Sequence, residues 1–126
     1  MAKNILYLDD DEALLRLGEV ILQSLDYQPI LAKTKDEAIE IIQKGGVDLL
    51  LSDTDLSVEN EGIDLCRKLR QNGYKFPIVG VSGKPSEERI SAWHIAGADG
   101  FLPKPYSFPK LESLLSELLR DERSQS

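Results

Sequence analysis

The chain has 126 residues and is 41% hydrophobic, which suits one globular domain, because a core of that size can bury more than half of the unfolded chain's surface while two full domains would be cramped. Its 15 Lys and Arg against 22 Asp and Glu leave a formal charge of -7, which argues against direct nucleic-acid binding by this domain, since phosphate contacts need clustered cations. No run approaches the roughly 18 apolar residues of a membrane span, residues 1–4 carry no cleavable leader, and the lone Cys66 allows no intrachain disulfide, so a cytoplasmic protein without membrane contact is expected.

Short apolar runs alternate with helical patterns. Residues 5–8 read as a first strand, followed by Leu14, Leu17, Ile21 and Leu25 at helical spacing. A second strand at residues 29–32 precedes a helix marked by Ala38, Ile41 and Ile42, with Thr34 and Glu37 as a capping box and Gly45 as its stop. The third strand, residues 47–51, leads to the stripe Ile63, Cys66 and Leu69, which places Cys66 in the core and ends at Gly73. Residues 76–81 form the fourth strand, and Ile90, Trp93 and Ala96 or Gly97 mark the next helix. Residues 101–102 are a short fifth strand. Ser107 and Pro109 open a final helix carrying Leu111, Leu114, Leu115 and Leu118.

Strands that read as continuous apolar runs between helices imply a mainly parallel sheet covered on both faces, a doubly wound (βα)5 α/β fold. Pro29 in the second run, and the brevity of the fifth before Pro103 and Pro105, put those two at the edges, where a missing amide donor is tolerated. In such sheets ligands bind beyond the carboxyl ends of the strands.

Those ends are polar. Asp9, Asp10, Asp11 and Glu12 follow the first run, Ser52, Asp53, Thr54 and Asp55 the third, Ser82, Gly83 and Lys84 the fourth, and Lys104 the fifth. Carboxylates meeting there repel by roughly 3 kcal/mol per pair at about 5 Å and an effective dielectric near 20. A hard divalent cation such as magnesium suits this donor set, and Lys104 adds a second positive charge. Acids just before a helix also serve as caps, and Asp11 and Glu12 are assigned that role. Capping does not account for Asp9, Asp10 and Asp53.

The segments Ile5-Leu6-Tyr7-Leu8-Asp9-Asp10-Asp11-Glu12, Val47-Asp48-Leu49-Leu50-Leu51-Ser52-Asp53, Pro77-Ile78-Val79-Gly80-Val81-Ser82-Gly83 and Gly97-Ala98-Asp99-Gly100-Phe101-Leu102-Pro103-Lys104-Pro105, in that order, resemble the receiver domains of response regulators in two-component signalling. The resemblance covers essentially the whole chain, with residues 1–120 as the receiver domain and 121–126 as a polar tail or the start of a linker. It implies a flavodoxin-like fold with five parallel strands in the order 2-1-3-4-5. Asp53 would be the phosphoacceptor, Asp10 and Asp53 direct Mg2+ ligands, Asp9 a ligand through water, and Asp55 a ligand through its backbone carbonyl. Ser82 and Lys104 would contact the phosphoryl oxygens, and Ser82 with Phe101 would form the switch. Asp55 and Lys84, bordering the path of an attacking water, would set the phosphoryl group's lifetime.

The implied activity is that of a signalling phosphoacceptor rather than an enzyme in the usual sense, catalysing only its own phosphorylation and slow dephosphorylation. Its partners would be a sensor histidine kinase or phosphotransfer protein and a downstream effector or fused output domain, with homodimerisation possible through the fourth helix, fifth strand and fifth helix. A cis peptide before Pro105 belongs to the same pattern. From spacing alone Phe101 reads as an edge-strand core aromatic, and only its place three before Lys104 raises the switch reading; Trp93 reads equally as an interface anchor or a residue buried against the sheet, and His94 as a surface residue.

The chain departs from the pattern at Leu56 and Ser57, where Met-Pro is usual, and the loop to Gly62 looks one residue longer, which suggests a more mobile loop. Ser82 and Gly83 stand where threonine and alanine are more frequent. Three other readings compete. Asp53-Thr54-Asp55-Leu56-Ser57 resembles the nucleophile motif of haloacid-dehalogenase-type phosphatases, but there the acidic pair lies downstream. A flavodoxin-like flavin binder would need hydroxyls and amides where Asp9 to Glu12 stand. A receiver-shaped module that is never phosphorylated would not require the intact set of Asp9, Asp10, Asp53, Ser82 and Lys104.

Overall fold

The computed structural model describes residues 2–119; the expected domain boundary at residue 120 and the tail 121–126 lie outside the described residues. Strands and helices alternate as β1 (Asn4–Leu8), α1 (Glu12–Ser24), β2 (Gln28–Ala32), α2 (Lys35–Lys44), β3 (Leu49–Asp53), α3 (Glu61–Gln71), β4 (Ile78–Ser82), α4 (Glu87–Ala96), β5 (Gly100–Pro103) and α5 (Phe108–Leu119). The sheet is parallel throughout, in the order β2-β1-β3-β4-β5. The expected doubly wound order and edge strands are therefore the ones found.

Successive side chains of a strand point to opposite faces, and the core divides accordingly. Ile5, Tyr7, Leu49, Leu51, Val79 and Val81 pack with α1 and α5 on one face. Leu6, Leu8, Leu50 and Ile78 pack with Ala38, Ile42, Ile63, Cys66, Leu69 and Trp93 of α2, α3 and α4 on the other. Each such buried aliphatic contributes about 1.5–3 kcal/mol relative to exposure. Helix ends follow their cap chemistry: Asp11 Oδ1 accepts from the amides of Ala13 and Leu14, Thr34 Oγ1 from Glu37 and Ser107 Oγ from Lys110. Glu12, in the first turn of α1, pairs with Lys33 at 3.5 Å. Gly45 and Gly97 end their helices, Gly97 in the left-handed region.

Two details differ from the sequence pattern. The buried stripe of α1 is Leu15, Gly18, Ile21 and Leu22, so Leu17 is 54% exposed. The Tyr7 ring fills the space over Gly18, where a Cβ would lie 2.2 Å from it, and that contact fixes the helix's rotation around a glycine that apolar periodicity does not count. The third strand also runs on to Asp53. Asp53 is therefore the last residue of a strand buried on both faces rather than the start of a loop.

Candidate functional site

The register brings the polar strand ends together. Leu8 lies opposite Ser52 and Asp53 opposite Val81, while the Lys104 amide donates to the Ser82 carbonyl at 2.8 Å and the Asp9 amide to the Ala32 carbonyl at 3.1 Å. The result is an acidic crevice at the carboxyl edge of the sheet. Asp9, Asp10 and Asp53 each offer an oxygen within 4.8 Å of the others.

Asp9 is buried and fully engaged. Its Oδ1 accepts from the Asp11 amide at 2.9 Å, and its Oδ2 from Lys104 Nζ at 3.0 Å and the Tyr7 hydroxyl at 3.4 Å. Lys104 also reaches Asp53 Oδ1 at 3.3 Å, so one ammonium is shared by two carboxylates. The Thr54 amide donates to the same Asp53 oxygen at 3.0 Å. Asp53 Oδ2 accepts no hydrogen bond from the described residues. Asp10 is exposed. Three carboxylate oxygens close together, one side open to solvent, fit a hard divalent cation better than any softer metal.

The electrostatics record this crowding. Burial first, and the neighbouring Asp9 charge second, push the Asp53 carboxyl from its ordinary 3.8 up to about 6, against the lowering effect of Lys104 and the Thr54 amide. Burial disfavours the charged form of Lys104, but its hydrogen bond to Asp9 and the charges of Asp53 and Asp9 outweigh that and hold its pKa above the usual value. Burial, then the adjoining Tyr106 and Asp9, raise the Tyr7 phenol well above its normal range, so Tyr7 stays a donor.

The other expected residues lie on β4, on β5 and in the segments that follow β3 and β4. Ser82 is buried at the end of β4, its hydroxyl accepting from the Lys84 amide at 3.0 Å; the Lys84 residue is exposed. Phe101 is partly buried against the core on the α2–α4 face, as an edge-strand aromatic. Asp55 is not in the carboxylate cluster. Its side chain turns to the Asn60 amide at 2.9 Å and to Arg89 Nη1 at 3.0 Å. Burial raises its pKa, but the Asn60 amide and Arg89 outweigh that and hold it below the usual carboxylate range. The Lys104–Pro105 peptide is cis. Trp93 is buried and His94 exposed, which removes the surface-anchor reading of Trp93.

Sequence reading missed Tyr7, Thr54, Gly62, Arg89 and Trp93 as parts of this neighbourhood. The one signal for Gly62 in the sequence is its spacing from Asp53. A Cβ there would lie 2.0 Å from the Asp53 carbonyl oxygen, and the Gly62 amide donates to the Thr54 carbonyl at 2.9 Å, so only glycine lets the start of α3 close on the end of β3.

A parallel doubly wound sheet with three carboxylates and a shared lysine at its carboxyl edge defines a flavodoxin-like domain built around a metal-ready acidic crevice. The response regulator receiver domain profile matches residues 5–116. The chain belongs to that family.

Among curated proteins it is similar to the alkaline phosphatase synthesis transcriptional regulatory protein PhoP of Bacillus subtilis, at 31% identity over 121 residues, 95% of this chain and 50% of the relative. It is also 30% identical to the nisin biosynthesis regulatory protein NisR of Lactococcus lactis over 126 residues, covering 99% of this chain and 54% of that one. The chain thus spans about half the length of the curated relatives it matches. In structure it resembles a CheY-like receiver domain protein of Methanospirillum hungatei (TM-score 0.88, 28% identity, all of both chains). Vibrio cholerae chemotaxis protein CheY4 is similar too, with a TM-score of 0.86 and 27% identity over 94% of this chain and 100% of the other. Among the described residues no helix is long and apolar enough to cross a membrane.

Proposed function

We propose that this receiver domain accepts a phosphoryl group on Asp53 and relays that event through its surface. The observation that carries the proposal is the meeting of a buried strand-end carboxylate with two further carboxylates and a lysine that reaches it at 3.3 Å. An Asp53 oxygen attacks the phosphorus of a phosphohistidine on a partner kinase or phosphotransfer protein. The N–P bond breaks, the imidazole keeps the electron pair and takes up a proton, and an acyl phosphate remains on Asp53.

Asp10 and Asp53 would hold Mg2+ directly, Asp9 through water and Asp55 through its carbonyl; the ion would neutralise the phosphoryl oxygens as charge moves between donor and acceptor. Lys104 supplies the protein's own positive charge at that point, and Ser82 the hydroxyl that hydrogen-bonds the new dianion. Movement of Ser82 toward the phosphoryl group, with Phe101 turning in behind it, would convert occupancy into a change of surface. Water ends the cycle by hydrolysing the acyl phosphate, with Asp55 and Lys84 setting how long it survives. The proposed compartment is the cytoplasm, where phosphohistidine kinases and an effector or fused output domain would meet this surface.

The test is incubation with a radiolabelled small phosphodonor and Mg2+, with Asp53→Asn as control. One acid-stable, base-labile label per chain is expected in the native protein and none in the variant. Labelling that persists in Asp53→Asn would overturn the assignment, and turnover of a phosphate ester would favour the phosphatase-like reading instead.

A further inference from the structure

Two ties between α4 and the residues after Asp53 stand outside the phosphoryl chemistry. Arg89 and Trp93 stand four residues apart and so share one face of α4. Trp93, 1% exposed, covers Gly80 of β4, where a Cβ would come within 2.3 Å of the indole. Its Nε1–H donates to Thr54 Oγ1 at 2.9 Å, and the Thr54 hydroxyl donates onward to the Val81 carbonyl at 2.7 Å. The Thr54 amide is bonded to Asp53 Oδ1 at 3.0 Å. One turn earlier, Arg89 Nη1 meets Asp55 Oδ2 at 3.0 Å, with only 16% of the arginine side chain exposed, and Nη2 reaches Glu59 at 3.5 Å.

These polar ties add to a small apolar anchor, since α4 buries Trp93 and Ala96 and packs Ala92 against the same core. The indole N–H is a donor with no accepting capacity, and in a buried place it must keep a partner or stand unsatisfied. Displacing α4 therefore breaks the Thr54 bond or carries Thr54, and with it the amide that fixes Asp53. Arg89 imposes the same choice on Asp55.

We propose that Arg89 and Trp93 clamp α4 to Asp55 and Thr54, so that the acceptor loop's state is transmitted to α4 without passing through Ser82 and Phe101. The proposal rests on the phosphoacceptor reading of Asp53. Coupling of this kind is reciprocal, so whatever holds α4 also alters the acceptor loop.

The experiment compares native protein, Thr54→Val, Thr54→Ser and Arg89→Gln, loaded with acetyl phosphate and Mg2+ and followed by label incorporation and by amide exchange of residues 87–96. Native protein is expected to label and to change α4 exchange several-fold on loading. Thr54→Val and Arg89→Gln should still label but lose most of that change, while Thr54→Ser, which keeps the hydroxyl, retains it. Arg89→Gln tests the clamp at a partly exposed residue and keeps the outcome readable if the buried Thr54→Val impairs folding. Full α4 response in labelled Arg89→Gln and Thr54→Val, or no response in labelled native protein, would overturn the clamp while leaving the phosphoacceptor reading intact. Failure of native protein to label would overturn both.

Discussion

Replacing Asp53 by Asn should stabilise the metal-free protein, and only above acidic pH. The Asp53 carboxyl ionises at an ordinary 3.8 when unfolded but at about 6 in the fold, because burial and the Asp9 charge disfavour its anion. At 1.36 kcal/mol per pH unit, holding that anion costs the folded state about 3 kcal/mol at neutral pH. Only 13% of the side chain is exposed, so solvent screening removes little of it. The sign follows from proton counts. Between pH 3.8 and about 6 the folded state binds the extra proton, so stability falls as pH rises through that window and is level above it. Asn stands in for the neutral acid and escapes the loss. Thermal unfolding in a chelator should therefore show the Asp53→Asn variant melting on the order of 10 °C higher than native protein at pH 7.5, given about 2 cal/mol/K of unfolding entropy per residue, and no higher at pH 3.5. Equal melting temperatures at pH 7.5, or a gain that persists at pH 3.5, would refute the argument that buried charge crowding sets this energy.

Lys104→Met should act in the opposite direction. It leaves the carboxylates of Asp9 and Asp53 without their shared cation and should cost about 2–3 kcal/mol in chelator, below the range for a fully buried pair because Lys104 is 19% exposed; urea unfolding should show millimolar Mg2+ restoring much of that loss. Gly80→Ala should cost roughly 1–3 kcal/mol by overpacking, since the new methyl meets the Trp93 indole at 2.3 Å. The same variant should shift the tryptophan emission, Trp93 being the only source of it.

What the sequence made legible was whatever depends on periodicity and on strand ends. Five apolar runs and their helices gave the order of elements, and the residues after each run gave Asp9, Asp53, Ser82 and Lys104 as neighbours, because parallel strands share one carboxyl edge. Contacts made by single polar atoms across long separations were hidden. Nothing in the spelling of Trp93 states that its indole N–H faces Thr54, 39 residues away. The α1 face was misread for a related reason: Leu14 and Leu17 fit the helical period as well as Leu15 and Gly18 do, and only the bulk of Tyr7 on the neighbouring strand chooses between them.

The acceptor loop shows how one side chain can serve two structural roles. The connection from Asp53 to α3 carries backbone groups that need partners. Here Asn60 enters α3 in the left-handed region with no side-chain cap of its own. Asp55 Oδ1 takes the Asn60 amide instead, and the Leu56 amide donates to the Val58 carbonyl at 3.2 Å. That use of Asp55 leaves its second oxygen pointing to the start of α4, where Arg89 meets it. The carboxylate that organises the loop is thus the one that ties the loop to α4. Asn60, Asp55 and Arg89 form one unit: removing the Asp55 carboxylate would leave both the amide at the entry to α3 and the Arg89 guanidinium without this partner.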